Sequence, residues 1–374
     1  MPKVLFFVLI STSLIAGEYD FDMAAIEQKP YEYSGYLRVD NKVQKLNQEE
    51  QEYQNLLHLE ALFDFSYSYE ELTFKSSLMA NYDYLKEKTE ESDFPINELY
   101  LSGKLNTNHS LLGGKQSLNW GKGYFYNPVA FFDRPKDPTQ PTQTREGFII
   151  AKYSYNKSFA NELKNISLDL VYLPSTQNIN QEYCELATQG KDAHNAALRL
   201  YLLLYDTDID ILYNYSDNAK DKIGIDFSKN LQVNFEIHGE FAAVTDEGFT
   251  YLLGGRYLSD FDLTIIGEYL YQSEGLEQAQ IESFPSTVPF IAKDYFMALA
   301  TQKEPFEWLY FSLYYKNMTN LQDYSQQNKI GASYSFKNNV DTDISYNKNS
   351  GNDLSEFGKK TVSDFLWLQV TWRY

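Results

Sequence analysis

Apolar and polar residues alternate with a period of two along most of the chain. From Leu57 to Tyr69 the positions Leu57, Leu59, Ala61, Phe63, Phe65, Tyr67 and Tyr69 alternate with His58, Glu60, Leu62, Asp64, Ser66 and Ser68. After Glu70-Glu71 the apolar set continues at Leu72, Phe74, Leu78, Ala80 and Tyr82. Successive side chains of a strand point to opposite faces, so these two runs predict a tight hairpin with one greasy and one wettable face. The same alternation begins at Tyr31, Tyr33, Gly35, Leu37 and Val39. It closes the chain, where Leu366, Leu368, Val370 and Trp372 oppose Trp367, Gln369, Thr371 and Arg373. Between these ends, strands are predicted near 99–105, 110–120, 148–155, 166–172, 196–205, 208–215, 222–228, 231–243, 249–258, 261–272, 294–301, 307–316, 328–336 and 340–347. Short turns at Asn106–Asn108, Asp206-Thr207, Lys229-Asn230 and Ser259-Asp260 alternate with long connections. The total is about eighteen antiparallel strands, an even number with both chain ends on the short-turn side.

Across these strands the apolar face carries no Asp, Glu, Lys or Arg in its central portion, and the nearest exceptions, Glu307 and Asp364, each open a strand. A cation facing lipid at mid-membrane costs ~2–4 kcal/mol, so lipid exposure enforces such clearing. A soluble sandwich also alternates, but it needs only one packed core and its strands are usually shorter. The pattern therefore predicts an all-β transmembrane antiparallel barrel with long extracellular loops and short periplasmic turns.

The ends of the chain agree with that reading. Met1-Pro2-Lys3, the apolar run Val4–Ile15 and Ala16-Gly17 have the layout of a secretory signal peptide, so residues 1–17 are expected to be one. Residues 18–30 are read as a short periplasmic leader and 31–374 as the barrel. The run is too short to span a bilayer as a helix, and no other segment approaches the ~20 apolar residues a membrane helix needs. The final strand, ending on Tyr374, resembles the last strand of bacterial outer-membrane barrels, where it is the signal for the barrel-assembly machinery. Aromatic residues make up 16% of the sequence and Tyr outnumbers Phe, 32 to 25, as suits rings at a membrane–water boundary. A single cysteine, Cys184, excludes an intramolecular disulfide framework. The net charge of -20 argues against nucleic acid as a partner.

Strand parity assigns to the lumen the acids Glu60, Asp64, Glu236, Glu240 and Glu268 and the bases Arg199 and Arg256. An interior so charged is either wet or tightly paired. One stretch is more specific. Gly114-Lys115-Gln116 is followed by Trp120-Gly121-Lys122-Gly123 and then by Asn127-Pro128, with a charged, proline-rich continuation through Asp133, Arg134, Lys136 and Arg145. Lys115 and Asn119 point inward by parity, Gly121 and Gly123 permit a sharp exit, and Pro128, Pro135, Pro138 and Pro141 stiffen the loop beyond them. This stretch resembles a motif of porin-like outer-membrane proteins, including relatives of alginate exporters and of the barrels in porin–cytochrome conduits. The likeness covers about a tenth of the chain and implies the fold more than a substrate. A loop of this kind is expected either to fold back as a constriction or to cap the barrel from outside.

No nucleophile motif frames Ser66 or Ser228 near His58 or His238, no metal site is expected, and no Cys-x-x-Cys-His haem motif is present, so neither enzyme activity nor a cofactor is predicted. The expected function is a passive channel for small hydrophilic solutes or ions in the outer membrane, surrounded by its lipid. The rivals are a barrel that sheathes a partner such as a multi-haem cytochrome or another periplasmic protein, and a non-conducting β-rich surface binding protein. The excess of acid predicts weak cation selectivity that declines as salt rises, whereas an inward fold of the loop after Trp120 would make the narrowest part locally basic through Lys115, Arg134, Lys136 and Arg145, beside Asp133 and Asp137, and favour anionic or zwitterionic solutes.

Overall fold

The computed structural model describes residues 29–47, 53–85, 89–284 and 290–374. The expected signal peptide and nearly all of the leader lie outside the described residues, as do parts of two acidic loops. From Tyr31 the chain is a succession of antiparallel neighbours, beginning with β1 (Tyr31–Leu46), β2 (Tyr53–Tyr69) and β3 (Leu72–Leu85). β4 (Thr89–Asp93) and β5 (Ile96–Lys104) both pair along β3, so they are one stave broken at Phe94-Pro95. Proline has no N–H for the ladder. Its carbonyl instead accepts from Met79 N at 3.0 Å.

The circuit continues through β6 (His109–Gln116), β7 (Phe148–Ser158), β8 (Leu163–Ser175), β9 (Ala193–Leu204) and β10 (Thr207–Ser216). Next come β11 (Lys222–Gln232), β12 (Phe235–Val244), β13 (Phe249–Leu258), β14 (Leu263–Gln272) and β15 (Asp294–Lys303). β16 (Phe311–Asn320), β17 (Gln326–Phe336), β18 (Val340–Ser350) and β19 (Val362–Arg373) complete it. β19 pairs with β1 as well as β18, closing an 18-strand barrel. Two short helices, α1 (Gln181–Thr188) and α2 (Gln278–Ser283), sit in long connections.

The seam shows how the sequence permits closure. Leu37 faces Trp372 and Val39 faces Val370 across it. Beyond the last ladder pair, Gly35 N donates to Tyr374 O at 3.2 Å and Tyr374 N donates to Gly35 O at 3.1 Å. The Tyr374 ring lies across Gly35, where a Cβ would meet its hydroxyl at 2.5 Å and Leu62 O at 2.2 Å. Glycine is required there by space.

Leu37, Val39, Leu59, Phe63, Leu253, Ile330, Ile344 and Leu368 are exposed on the outer wall, while intervening Asp40, Glu60, Leu252, Ser345 and Trp367 are buried. A wall this apolar, with its backbone groups paired strand to strand and no open edge, fits hydrocarbon as its solvent. Outward-parity charges such as Lys45, Lys157, Lys229 and Asp364 fall near strand ends.

Three local expectations change. The β11–β12 turn is at Val233-Asn234, because Lys229 and Asn230 are still paired, with Ile237 and Glu236. A strand that overshoots the membrane becomes polar before it turns, so composition alone places the turn too early. The β9–β10 turn is Tyr205-Asp206, both in the left-handed region. β16 starts at Phe311, and Glu307 belongs to the preceding turn and not to a strand.

Candidate functional site: the segment that crosses the barrel

The connection from β6 to β7, residues 117–147, turns into the barrel and lies against its inner wall. Asp133 folds its first turn by accepting the N–H groups of Leu118, Asn119 and Trp120 at 2.7, 3.0 and 3.1 Å, and the Ser117 hydroxyl at 3.0 Å. Asn119 is left-handed, with φ 53°. Gly121 follows at φ 99°, where a Cβ would sit 2.7 Å from Glu240 Oε1. The close approach lets two wall carboxylates reach the backbone. Glu240 on β12 accepts from Lys122 N and Gly123 N at 2.6 Å each, Asn127 Nδ2 at 2.8 Å and Val129 N at 3.2 Å. Glu268 on β14 accepts from Tyr124 N at 2.5 Å and Phe125 N at 3.0 Å, with His238 Nε2 2.9 Å away. Consecutive N–H groups converging on a carboxylate form an anion-binding concavity, and bonds to a charged acceptor are the stronger kind.

Apolar packing completes the seat. Trp120, Val129, Phe131 and Phe132 pack with inward Leu112, Ile150, Val171, Leu173 and Leu212, and with Tyr183 of α1. Phe125 packs with Leu252, Leu270, Tyr295, Met297 and Met318. About 25 cal/mol is gained per Å² of apolar surface removed from water, so burial of these rings adds to the hydrogen bonds that hold the segment. The part of the lumen under the segment is therefore largely apolar, with Glu240 and Glu268 as the buried charges that seat it.

Side chains of the segment reach outward from this seat. Lys122 Nζ is 3.1 Å from Asp210 and 3.9 Å from Asp226. Arg134 pairs with Glu146 at 2.9 Å and with Glu182 of α1, and Lys115 pairs with the same Glu146. Arg145 donates to Arg134 O at 2.8 Å and Asn119 Oδ1 at 2.9 Å. Lys136 donates to Gly123 O at 2.7 Å. Burial holds the Lys136 ammonium below the usual lysine range, and neighbouring Arg145 pushes the same way. Lys316 on β16 donates to Thr139 O.

Residues 141–143 line two separate cavities. One, of ≈ 500 Å³, is bounded by Asp64, Lys75, Glu98, Asn119, Lys136 and Arg145. The other, of ≈ 290 Å³, is bounded by Arg38, Tyr314, Lys316, Lys329, Trp367 and Gln369. The segment thus divides the space inside the barrel.

Of the residues singled out from the sequence, Lys115, Asn119, Asp133, Arg134, Lys136, Arg145, Glu240 and Glu268 come together in this assembly. Glu240 and Glu268 are buried beneath the segment and face no open space. Glu236 is 3.1 Å from both Tyr124 Oη and Ser228 Oγ, with Arg256 at 3.9 Å. Arg199 is paired at 2.8 Å with Asp210, and Glu60 at 2.7 Å with Arg38. Asp64 lines the larger cavity. Lys316, Lys329 and Trp367 were missed as site residues. Lys316 and Lys329 are directly opposed across β16 and β17, and Trp367 lies 4.5 Å beneath Lys329 and 4.2 Å beneath Lys42. Strand pairing was needed to see them as one group.

No protein-family model matches the sequence, and no curated protein matches it. Solved structures do match by fold. Against OccK5 (OpdH) of Pseudomonas aeruginosa the TM-score is 0.58 at 12% identity, covering 92% of this chain and 97% of that one. OccK11 (OpdR) of the same organism gives 0.58 at 12% identity, covering 92% and 95%. OccAB2 of Acinetobacter baumannii gives 0.54 at 10% identity, covering 91% and 98%. At these identities the likeness is one of fold: the chain is a closed 18-strand antiparallel β-barrel built like those structures.

Proposed function

We propose that the protein is a passive channel for small hydrophilic solutes across the outer membrane, with residues 117–147 as its constriction. The observation that carries this reading is the segment itself, seated by Glu240 and Glu268 and bordering separate cavities of ≈ 500 and ≈ 290 Å³ inside the barrel. It also argues against a barrel that sheathes a cytochrome, because a lumen crossed by its own chain leaves no bore for a protein domain.

The same geometry favours anionic solutes at the constriction, in place of the weak cation selectivity expected from composition. Asp133, Glu240, Glu268 and Asp210 are occupied in holding the segment, whereas Lys316 and Lys329 line the smaller cavity with no acid among its lining residues; Arg38 lines it too but is paired with Asp40 and Glu60. In the larger cavity Lys75, Lys136 and Arg145 outnumber Asp64 and Glu98. Charges in a narrow, low-dielectric passage act on a solute more strongly than a diffuse surface excess. Export by residues 1–17 and assembly from the strand ending at Tyr374 complete the reading.

Liposome swelling with the purified barrel tests it. A small monocarboxylate should enter faster than an amine of equal size. Faster entry of the amine refutes the charge assignment, and no swelling with any solute refutes the channel.

A further inference from the structure

We propose that residues 304–310, between β15 and β16, form an anchor that inserts aromatic side chains among the phospholipids at the short-turn end of the barrel. The inference needs the barrel to stand in a membrane and is independent of what passes through it.

Several turns at this end are as short as Glu70-Glu71, Tyr205-Asp206 and Val233-Asn234. The β15–β16 connection is longer and reads Glu304-Pro305-Phe306-Glu307-Trp308-Leu309-Tyr310. Its side chains are unusually bare for apolar groups. Phe306 is 95% exposed and Trp308, Leu309 and Tyr310 are each more than half exposed. They are not loosely held. Glu304 N donates to Phe311 O at 2.8 Å, Tyr310 N to Glu304 Oε1 at 3.2 Å, and Ser335 N on β17 to Tyr310 O at 3.1 Å. Glu304, Phe306, Glu307 and Tyr310 all occupy the left-handed region, with φ of 47–64°. L-residues rarely adopt that conformation, and here the turn that it shapes leaves Phe306 bare beside Trp308, Leu309 and Tyr310.

The direction in which the turn leans identifies its occupant. The Trp308 ring lies 4.6 Å from Phe311 and 6.5 Å from Tyr334, and Tyr334 is 4.7 Å from Phe336. Phe311, Tyr334 and Phe336 share the outward parity of Leu313, Tyr315 and Ile330, which are exposed on the lipid-facing wall. The turn therefore extends the wall that meets hydrocarbon, and does not fold under the lumen. Trp and Tyr carry an apolar body with a polar tip, which suits the headgroup level of a bilayer, and Phe and Leu suit the acyl region just beyond it. A continuous apolar surface running from a lipid-facing wall onto a rigid turn fits the leaflet that already surrounds that wall.

Site-directed spin labelling in phospholipid nanodiscs tests this. With Cys184→Ser as background, nitroxides are placed separately through Phe306→Cys and Trp308→Cys, with Leu313→Cys as the lipid-facing reference and Asn234→Cys as the water-facing one. Phe306 has few neighbours, so its replacement leaves the fold intact if the Trp308 variant does not assemble. The anchor predicts oxygen-to-nickel-chelate collision ratios at 306 and 308 several-fold above that at 234 and close to that at 313. Ratios equal to that at 234 overturn it. Dipolar broadening between labels, showing a second copy on the turn, overturns it equally.

Discussion

Replacing Glu240 with glutamine tests the seating of the segment at its centre while changing almost no volume. Oε1 accepts from Lys122 N, Gly123 N and Asn127 Nδ2, and Oε2 from Val129 N. An amide oxygen in the Oε1 position keeps three contacts, but as neutral bonds roughly half as strong as the ~1.5–3 kcal/mol of a charge-assisted one. The amide nitrogen then faces the Val129 N–H, donor against donor, leaving a buried polar group unpaired at ~1–3 kcal/mol. The combined loss is roughly 3–7 kcal/mol, an upper bound because the bonds share one carboxylate. Glu268 and the buried rings still hold the segment, so the barrel should fold and keep its heat-modifiable mobility on gels. Single-channel recording should show a larger, noisier conductance and weaker ion selectivity as the segment fluctuates. Glu236→Gln is the matched control, because Glu236 touches the segment only through Tyr124 Oη. If Glu240→Gln records like the unmodified protein in conductance, noise and selectivity, the segment is not the constriction or Glu240 does not hold it.

Gly35→Leu should block barrel closure, since the new side chain occupies the space of the Tyr374 ring, and loss of heat-modifiable mobility would show it. Ile265→Arg should impair assembly by placing a cation against hydrocarbon at ~2–4 kcal/mol, whereas Thr264→Arg, one position along and inward, should assemble; equal damage would contradict the assignment of faces. In a Cys184→Ser background, a cysteine at Gln280 should react with an impermeant thiol reagent on intact cells and one at Asn108 should not; labelling of Asn108 would invert the topology. Lys136, held below the usual lysine range, should lose its charge at a lower pH than the ~10.4 of a free lysine. Anion preference should therefore begin to fall below that pH in reversal-potential measurements, and Lys136→Ala should abolish that step.

The barrel was legible because lipid imposes a rule that each strand obeys separately. Leu57 to Tyr69, or Leu366 to Trp372, shows one clean face without knowledge of any partner. Turn positions were less secure, as Lys229-Asn230 shows, because polarity sets in where a strand leaves the membrane and not where it reverses. The site was legible in part. Trp120-Gly121-Lys122-Gly123 stood out, and parity pointed Glu240 and Glu268 inward, but nothing local says that an inward carboxylate binds the backbone of a distant segment. That pairing joins Glu240 to Gly123 and Glu268 to Phe125 across more than a hundred residues. The signal was nonetheless present on the inner parity. Leu112, Ile150, Val171, Leu212 and Leu252 are out of place in a water-filled lumen, and they match the apolar run Val129–Phe132 that covers part of them. The acids that hold the segment, Asp133, Asp210, Glu240 and Glu268, are removed from solvent, and for that reason the anion preference proposed above does not count them as pore-lining.

Reversal potential under a salt gradient across a planar bilayer containing the purified protein tests whether the segment forms an anion-selective constriction. Such a constriction gives stepwise conductance with a preference for chloride over potassium that persists near ~1 M salt, where the Debye length is only ~3 Å and distant surface charge is screened. Cation preference under those conditions, or no conductance at any salt concentration, would contradict it.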